Sequence, residues 1–190
     1  MSVPGLNLLI PLVAIVVFSI IHLGMDRDRD RARTLEIVLL YGVGIIGFNG
    51  IVGFLVHTIW ADAVAESIGW ATGSPFQHEV AGANLAIGLI GFLGFWRRDF
   101  WLPFLLAKLI FGWTAGFAHV ADLILNGNHA ANNAGPILAW DFLMPVLLLG
   151  LYGWMRRARG PELQGAMPIR PLVDSNRGVS RPRPIRSAQA

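Results

Sequence analysis

Cysteine is absent from the 190-residue chain, which excludes disulfides, thiolate metal sites, iron–sulfur clusters and thiol redox chemistry. Any metal bound here takes its ligands from His, Asp, Glu or backbone oxygen. Charge is also scarce: 14% of residues are charged against 54% hydrophobic, with a mean hydropathy of +0.55. So few charges do not cover a soluble globule, and the composition is that of a chain solvated by a bilayer. Lys and Arg are missing altogether from the N-terminus and from two of the interhelical loops. The sequence pI near 10.2 comes from arginines in the remaining loops and the C-terminal tail, where membrane topology explains them, so nucleic acid is not expected as a partner.

Five stretches have the length and apolarity of membrane spans, at about 4–25, 35–59, 75–96, 101–126 and 136–155, because a helix rising ~1.5 Å per residue needs ~20 residues to cross ~30 Å of hydrocarbon. The first is expected as a retained span: no basic residue precedes it, its apolar part is long, and no A-x-A-like cleavage site follows. Arg27, Arg29, Arg31 and Arg33 follow span one, Arg97 and Arg98 follow span three, and Arg156, Arg157 and Arg159 follow span five. Short basic loops are retained in the cytoplasm, so the N-terminus is placed outside and the C-terminus inside.

Between the spans, "DRDRDRAR" at 26–33 alternates sign and offers Asp26–Arg29 and Asp28–Arg31 pairs if helical, although a solvated turn is the simpler reading. Residues 61–72 read as a short helix lying in the outer interface, with Val64 and Ile68 on one face, Asp62 and Glu66 on another, and Gly73 as its left-handed cap. Ser74, Pro75 and Gln77 then read as a capping box that opens span three. Residues 156–190, rich in Arg and Pro with little apolar periodicity, are expected to form a disordered basic cytoplasmic tail. "GVGIIG" at 42–47 matches a dinucleotide-binding pattern but lies inside an apolar span with no preceding strand. Its glycines, like Gly88, Gly91 and Gly94, are better read as helix-packing positions.

Span four carries the chemistry. Lys108, Gly112, Ala115, Gly116, His119 and Asp122 recur at spacings of three and four and share a face. The Gly112-x-x-x-Gly116 pair lets another helix approach that face, within one chain or between chains, so a homo-oligomer or a membrane-complex partner also fits. His57, Glu79, His119, Asp122 and Asp141 come from four helices yet fall within ~10 Å of the outer surface. Convergence is favoured because an intramembrane carboxylate exposed to lipid costs ~2.5–3.5 kcal/mol or more. Such a cluster suits a proton site, a metal ion held through N and O ligands, or a haem held between His57 and His119. The same groups also suit interhelical pairing, His119 with Asp141 for example. Lys108 is expected either to pair with Glu36 or to reach for the cytoplasmic surface. Asn49 and Asn84 are the midplane polar residues, too few for a clear transport path. His129, in "NGNHAANNAGP", reads as part of a solvated loop.

"GWATGSPFQHEVAGANLAIGLIG", residues 69–91, followed by an aromatic-rich helix carrying His119, resembles a family of uncharacterised bacterial multi-pass membrane proteins with a G-[S/N]-P-F-Q-x-E motif. The resemblance rests on Gly73, Pro75, Phe76, Gln77 and Glu79, covers about a quarter of the chain, and implies no activity. The expectation is an all-α membrane bundle of about five spans in a bacterial inner membrane. Three readings stay open: ion or proton binding at the outer cluster, including metal or haem redox chemistry; a structural or assembly protein whose polar groups specify packing; and a lipid-modifying enzyme using Glu79 and His119 as an acid–base pair.

Overall fold

The computed structural model describes residues 6–27 and 30–159. Every regular element among them is helical: α1 (Leu6–Met25), α2 (Arg31–Ile59), α3 (Ala61–Ile68), α4 (Phe76–Leu93), a 3-10 turn (Arg98–Phe100), α5 (Trp101–Asn126), α6 (Ala131–Ala134) and α7 (Pro136–Arg159). Four segments, Leu8–Met25, Arg31–Ile59, Arg98–Asn126 and Ala131–Arg159, are long and apolar enough to cross a membrane. The exception among the long helices is α4, whose 18 residues begin with the polar run Gln77-His78-Glu79. Helices suit this solvent because each satisfies its own backbone, which lipid cannot do.

Central helix α2 opens on Asp30, whose side chain accepts the Arg33 amide at 2.8 Å, a standard N-cap. Its most extensive contact is with α4, and the reason is glycine. A Cβ on Gly50 would lie 2.9 Å from the Gly88 Cα, and one on Gly88 would lie 2.7 Å from the Ile51 amide nitrogen; Gly47 and Gly91 meet in the same way. The two backbones therefore touch directly, and dispersion between them replaces side-chain interdigitation. Because Gly53 meets Asn84, Gly50 meets Gly88 and Gly47 meets Gly91, α4 runs antiparallel along the second half of α2. The indole of Trp101 ties off the crossing by donating to the Gly94 carbonyl at 2.8 Å.

Core side chains lie between α2, α5 and α7: Leu39, Leu40 and Val43 pack with Trp101, Phe104, Met144 and Leu148. Peripheral α1 buries Ile15 and Ser19 while leaving Ile10, Val13, Val17 and Ile20 exposed, the surface expected of a lipid-facing helix. On the other side, a Cβ on Gly112 would lie 2.8 Å from the Asp141 carbonyl oxygen, and one on Gly116 would lie at the same distance from the Phe142 ring.

Several local expectations need correction. The short helix after α2 ends at Ile68, and its left-handed cap is Gly69 (φ +82°) instead of Gly73. Gly69 closes it because its amide and that of Trp70 reach back to carbonyls of the last turn, and because the Asn128 amide leaves no room for a Cβ. Gly73 (φ +74°) shapes the following turn, where its N–H donates to Asp62 at 2.8 Å. At the other end of the chain α7 continues through Arg156 and Arg157 to Arg159, so the expected tail does not begin at 156. Its portion from 160 to 190, and the Asp28 and Arg29 partners proposed in the charged turn, lie outside the described residues. Asp26 pairs with Arg33 at 2.8 Å.

The glycine contact makes a sharp prediction. Gly88→Ala is expected to destabilise the protein by about 1–3 kcal/mol through overpacking against backbone that cannot yield. Gly150→Ala, with nothing near its Cβ, is expected to be neutral or slightly stabilising. Thermal unfolding of both variants in mild detergent distinguishes them.

Candidate functional site

The residues expected to form one outer cluster are distributed over three partly or fully buried environments and, for Glu79, the exposed surface. At the end of α2, His57 Nδ1 lies 2.7 Å from Gln77 Oε1. With the amide oxygen facing the ring, Nδ1 is the donor in this contact. Gln77 is buried by this contact, and its side chain does not close a capping box. Ser74 still contributes: its hydroxyl oxygen accepts the Phe76 amide at 3.3 Å, while Pro75 occupies the cap position in helical conformation. The expected cap is thus shifted by one residue, from Ser74 to Pro75, and Gln77 is drawn out of the capping box by His57 on the neighbouring helix.

The second environment surrounds His119, which is 6% exposed. Its Nδ1 meets Asn133 Oδ1 at 2.8 Å, and the Asn133 amide donates to the Asn128 carbonyl at 2.8 Å. By the same reasoning Nδ1 is the donor to Asn133. Trp70 stacks on the imidazole at 5.4 Å between centroids. Its indole N–H donates to Asp122 at 2.9 Å; Asn128 and Asn126 also donate to that carboxylate, at 2.6 and 2.7 Å. Asn128 further donates to the Ile68 carbonyl at 2.8 Å. The segment read as a solvated loop is thus partly built into the bundle, with Asn133 fully buried. His129, like Asn126, Gly127 and Ala131, is exposed and fits the solvated description. Asp122 organises the end of α5, since its carbonyl also accepts the Gly127 amide.

Asp141 forms the third environment. It lies deeper than its position in the chain suggests, because its backbone packs on Gly112, ~16 Å from the start of α5 and ~21 Å from its end. The fold-back of α6 lets α7 begin below the outer surface. Asp141 is 6% exposed and makes no hydrogen bond or ion pair among the described residues. Its charge is within electrostatic reach of Lys108 and His119, which lie ~6 Å below and ~10 Å above Gly112 along α5. The expected direct His119–Asp141 pair does not form; Asn133 takes that imidazole instead.

Glu79 and His78 are exposed on the first turn of α4, and their side chains make no hydrogen bond or ion pair among the described residues. Among those residues no three of His, Asp or Glu come together as a ligand set for a metal ion. Near the midplane, Asn84 turns back on its own helix, donating to the Val80 carbonyl at 3.1 Å.

Sequence reasoning also missed a cluster at the opposite end. Glu36, 5% exposed, is held by Arg98 at 2.5 Å, Arg159 at 2.5 Å and Arg33 at 3.3 Å. These arginines replace the expected Lys108 partner. Lys108 lies 5.7 Å over the Phe111 ring. A signal for the cluster existed in the sequence, since Arg33, Arg98 and Arg159 all fall in the loops assigned to one side.

The buried polar groups and long apolar helices define a helical membrane protein. Residues 6–161 match DUF6790, described as a family of unknown function, and the chain belongs to that family. Nothing matches it among curated proteins or among solved structures. The family match extends well beyond residues 69–91 and includes α1.

If Asn133 holds His119 and the 127–135 segment in place, Asn133→Ala leaves buried donors and acceptors unpaired and should cost about 1–3 kcal/mol. His129→Ala should change stability by less than about 0.5 kcal/mol. Equal melting temperatures for the two variants in detergent would refute this role.

Proposed function

We propose that the chain is a multi-pass protein of a bacterial cytoplasmic membrane whose α5–α7 interface takes up and releases a proton at Asp141. The observation that carries this reading is a carboxyl group buried at mid-height of the bundle without a hydrogen bond or ion pair among the described residues, flanked by Lys108 and His119 along one helix face. A lone charge in such a place is expensive. A group that can change protonation state, with a lysine on one side and an imidazole on the other, is suited to exchanging protons along that face. His119 would be the outer member, receiving protons on Nε2, and Asp141 the inner one.

The topology proposed with it has five spans, the N-terminus outside and the C-terminus inside. It is supported by the antiparallel course of α4 along α2 and by the Arg33, Arg98 and Arg159 contacts to Glu36, which bring the basic helix ends to one side. The bacterial assignment rests on the resemblance of the "GSPFQHE" region. A second reading, a packing or assembly protein, is favoured by the Trp70–His119–Asn133–Asp122 network, in which the named polar groups find partners within the fold.

Infrared difference spectroscopy of the protein in lipid, recorded across a pH titration, separates these readings. We expect a protonated-carboxyl band that titrates in wild type, persists in Asp122→Asn and vanishes in Asp141→Asn. If Asp141→Asn leaves the spectrum unchanged, Asp141 does not exchange protons and the packing reading takes over. The topology is tested separately, and the absence of native cysteine makes single-cysteine labelling clean. With a membrane-impermeant maleimide, Thr72→Cys should react from outside and Asp99→Cys only after permeabilisation; reaction of both from the same side would mean that α4 does not cross.

A further inference from the structure

At the basic end of the bundle, three guanidinium groups face two carboxylates. Arg33 bridges Asp26 and Glu36, while Arg98 and Arg159 both close on Glu36. One positive charge is left over within a group of side chains that are 7–17% exposed. The donors are also under-used. Each guanidinium carries five N–H groups, and Glu36 with Asp26 satisfies only a few of them. Arg98 Nε sits close to Glu36 Oε1 but without the alignment of a hydrogen bond. Buried excess positive charge with spare, forked donors is the arrangement that recognises a tetrahedral oxyanion.

Position narrows the ligand. The cluster is assembled from the end of α1, the start of α2, the turn before α5 and the end of α7, so it lies where span ends meet headgroups. Trp101 stacks beneath Arg98 at 5.6 Å, and Trp154 beneath Arg31 at 4.3 Å. Trp101 belongs to the core, but Trp154 is 46% exposed, as indoles at the membrane interface are, and basic pockets between spans accept anionic headgroups. We propose that Arg33, Arg98 and Arg159 around Glu36 form a binding site for a phosphate group, free or carried by an anionic phospholipid. Glu36 holds the three arginines together, and the bound phosphate supplies the missing negative charge. This site is separate from the Asp141 region and does not depend on proton exchange there.

The test uses the full chain in an uncharged detergent, with thermal unfolding followed by tryptophan fluorescence during titration with phosphatidylglycerol, phosphatidylcholine or inorganic phosphate. A saturable rise in melting temperature is expected with phosphatidylglycerol and not with phosphatidylcholine. Arg159→Gln is expected to weaken the apparent affinity about tenfold, the loss of one charge-assisted contact. Arg157→Gln, an equal charge change at an exposed position outside the cluster, should weaken it less than about threefold, as for a screened surface charge. If inorganic phosphate reproduces the rise, the free ion is the ligand; if only phosphatidylglycerol does, the headgroup is. Should Arg159→Gln not fold, Arg159→Lys keeps the charge but loses the fork, and its affinity should still fall. The absence of any saturable rise, or equal losses for changes at 157 and 159, would overturn the proposal.

Discussion

The close approach of α2 and α4 is the contact on which the other placements depend. In water, helices associate by hiding apolar surface; in lipid that gain disappears, and contact must come from dispersion over surfaces that fit. Gly47 and Gly50 against Gly88 and Gly91 provide such a surface by bringing backbone to backbone. This matters most for α4, the one long helix outside the four segments that are long and apolar enough to cross a membrane. Its position is secured by fit to α2 more than by preference for lipid, and Gln77 adds a hydrogen bond to His57 where the contact ends.

With α4 anchored, the two ends of the bundle are organised by different chemistry. The end near Asp122 is held by neutral and singly charged hydrogen bonds from Asn128, Asn133 and Trp70, with every named partner accounted for. Such a network fixes geometry at modest electrostatic cost, since it surrounds one carboxylate with three donors. The Glu36 end uses full charges in a tighter space. Buried ion pairs contribute little net stability once desolvation is counted, yet removing one partner is severe because the others remain charged. That asymmetry makes Glu36 a specifier of arrangement: it accepts helix ends that bring arginines to it and penalises those that do not.

Much of the helical organisation was legible because it rests on local signals. Long apolar runs, glycine spacing and the sided distribution of arginine each depend on residues near one another in the chain. Left-handed Gly73 was legible for the same reason, but the cap at Gly69 was not, since Asn128 from another part of the chain contributes to it. The site was less readable. Depth counted along a single helix placed Asp141 near the surface, because that count assumes α7 starts there; the inward fold of α6 moves it to mid-height. Gln77 looked like a capping residue because Ser-Pro-Phe-Gln is a strong local pattern, and His57, twenty residues earlier, overrides it. Asn133 carried no local signal at all, as its importance arises only from the tertiary position of His119.

These differences share a physical cause. A polar side chain in lipid seeks a partner over whatever distance the fold allows, because the alternative is an unsatisfied group in hydrocarbon. Residues with two or more hydrogen-bonding atoms, such as Asn128, Asn133, Asp122 and Glu36, therefore become junctions between helices, and their partners are set by packing. Asp141 is an exception, as the buried Ser19 hydroxyl is among the described residues, since packing on Gly112 holds it in the interior without giving it a junction to make. A sequence optimised only for helix association could place an alanine or leucine there at lower electrostatic cost. That cost without a packing return is the ground on which the proton-exchange proposal for this carboxyl group rests.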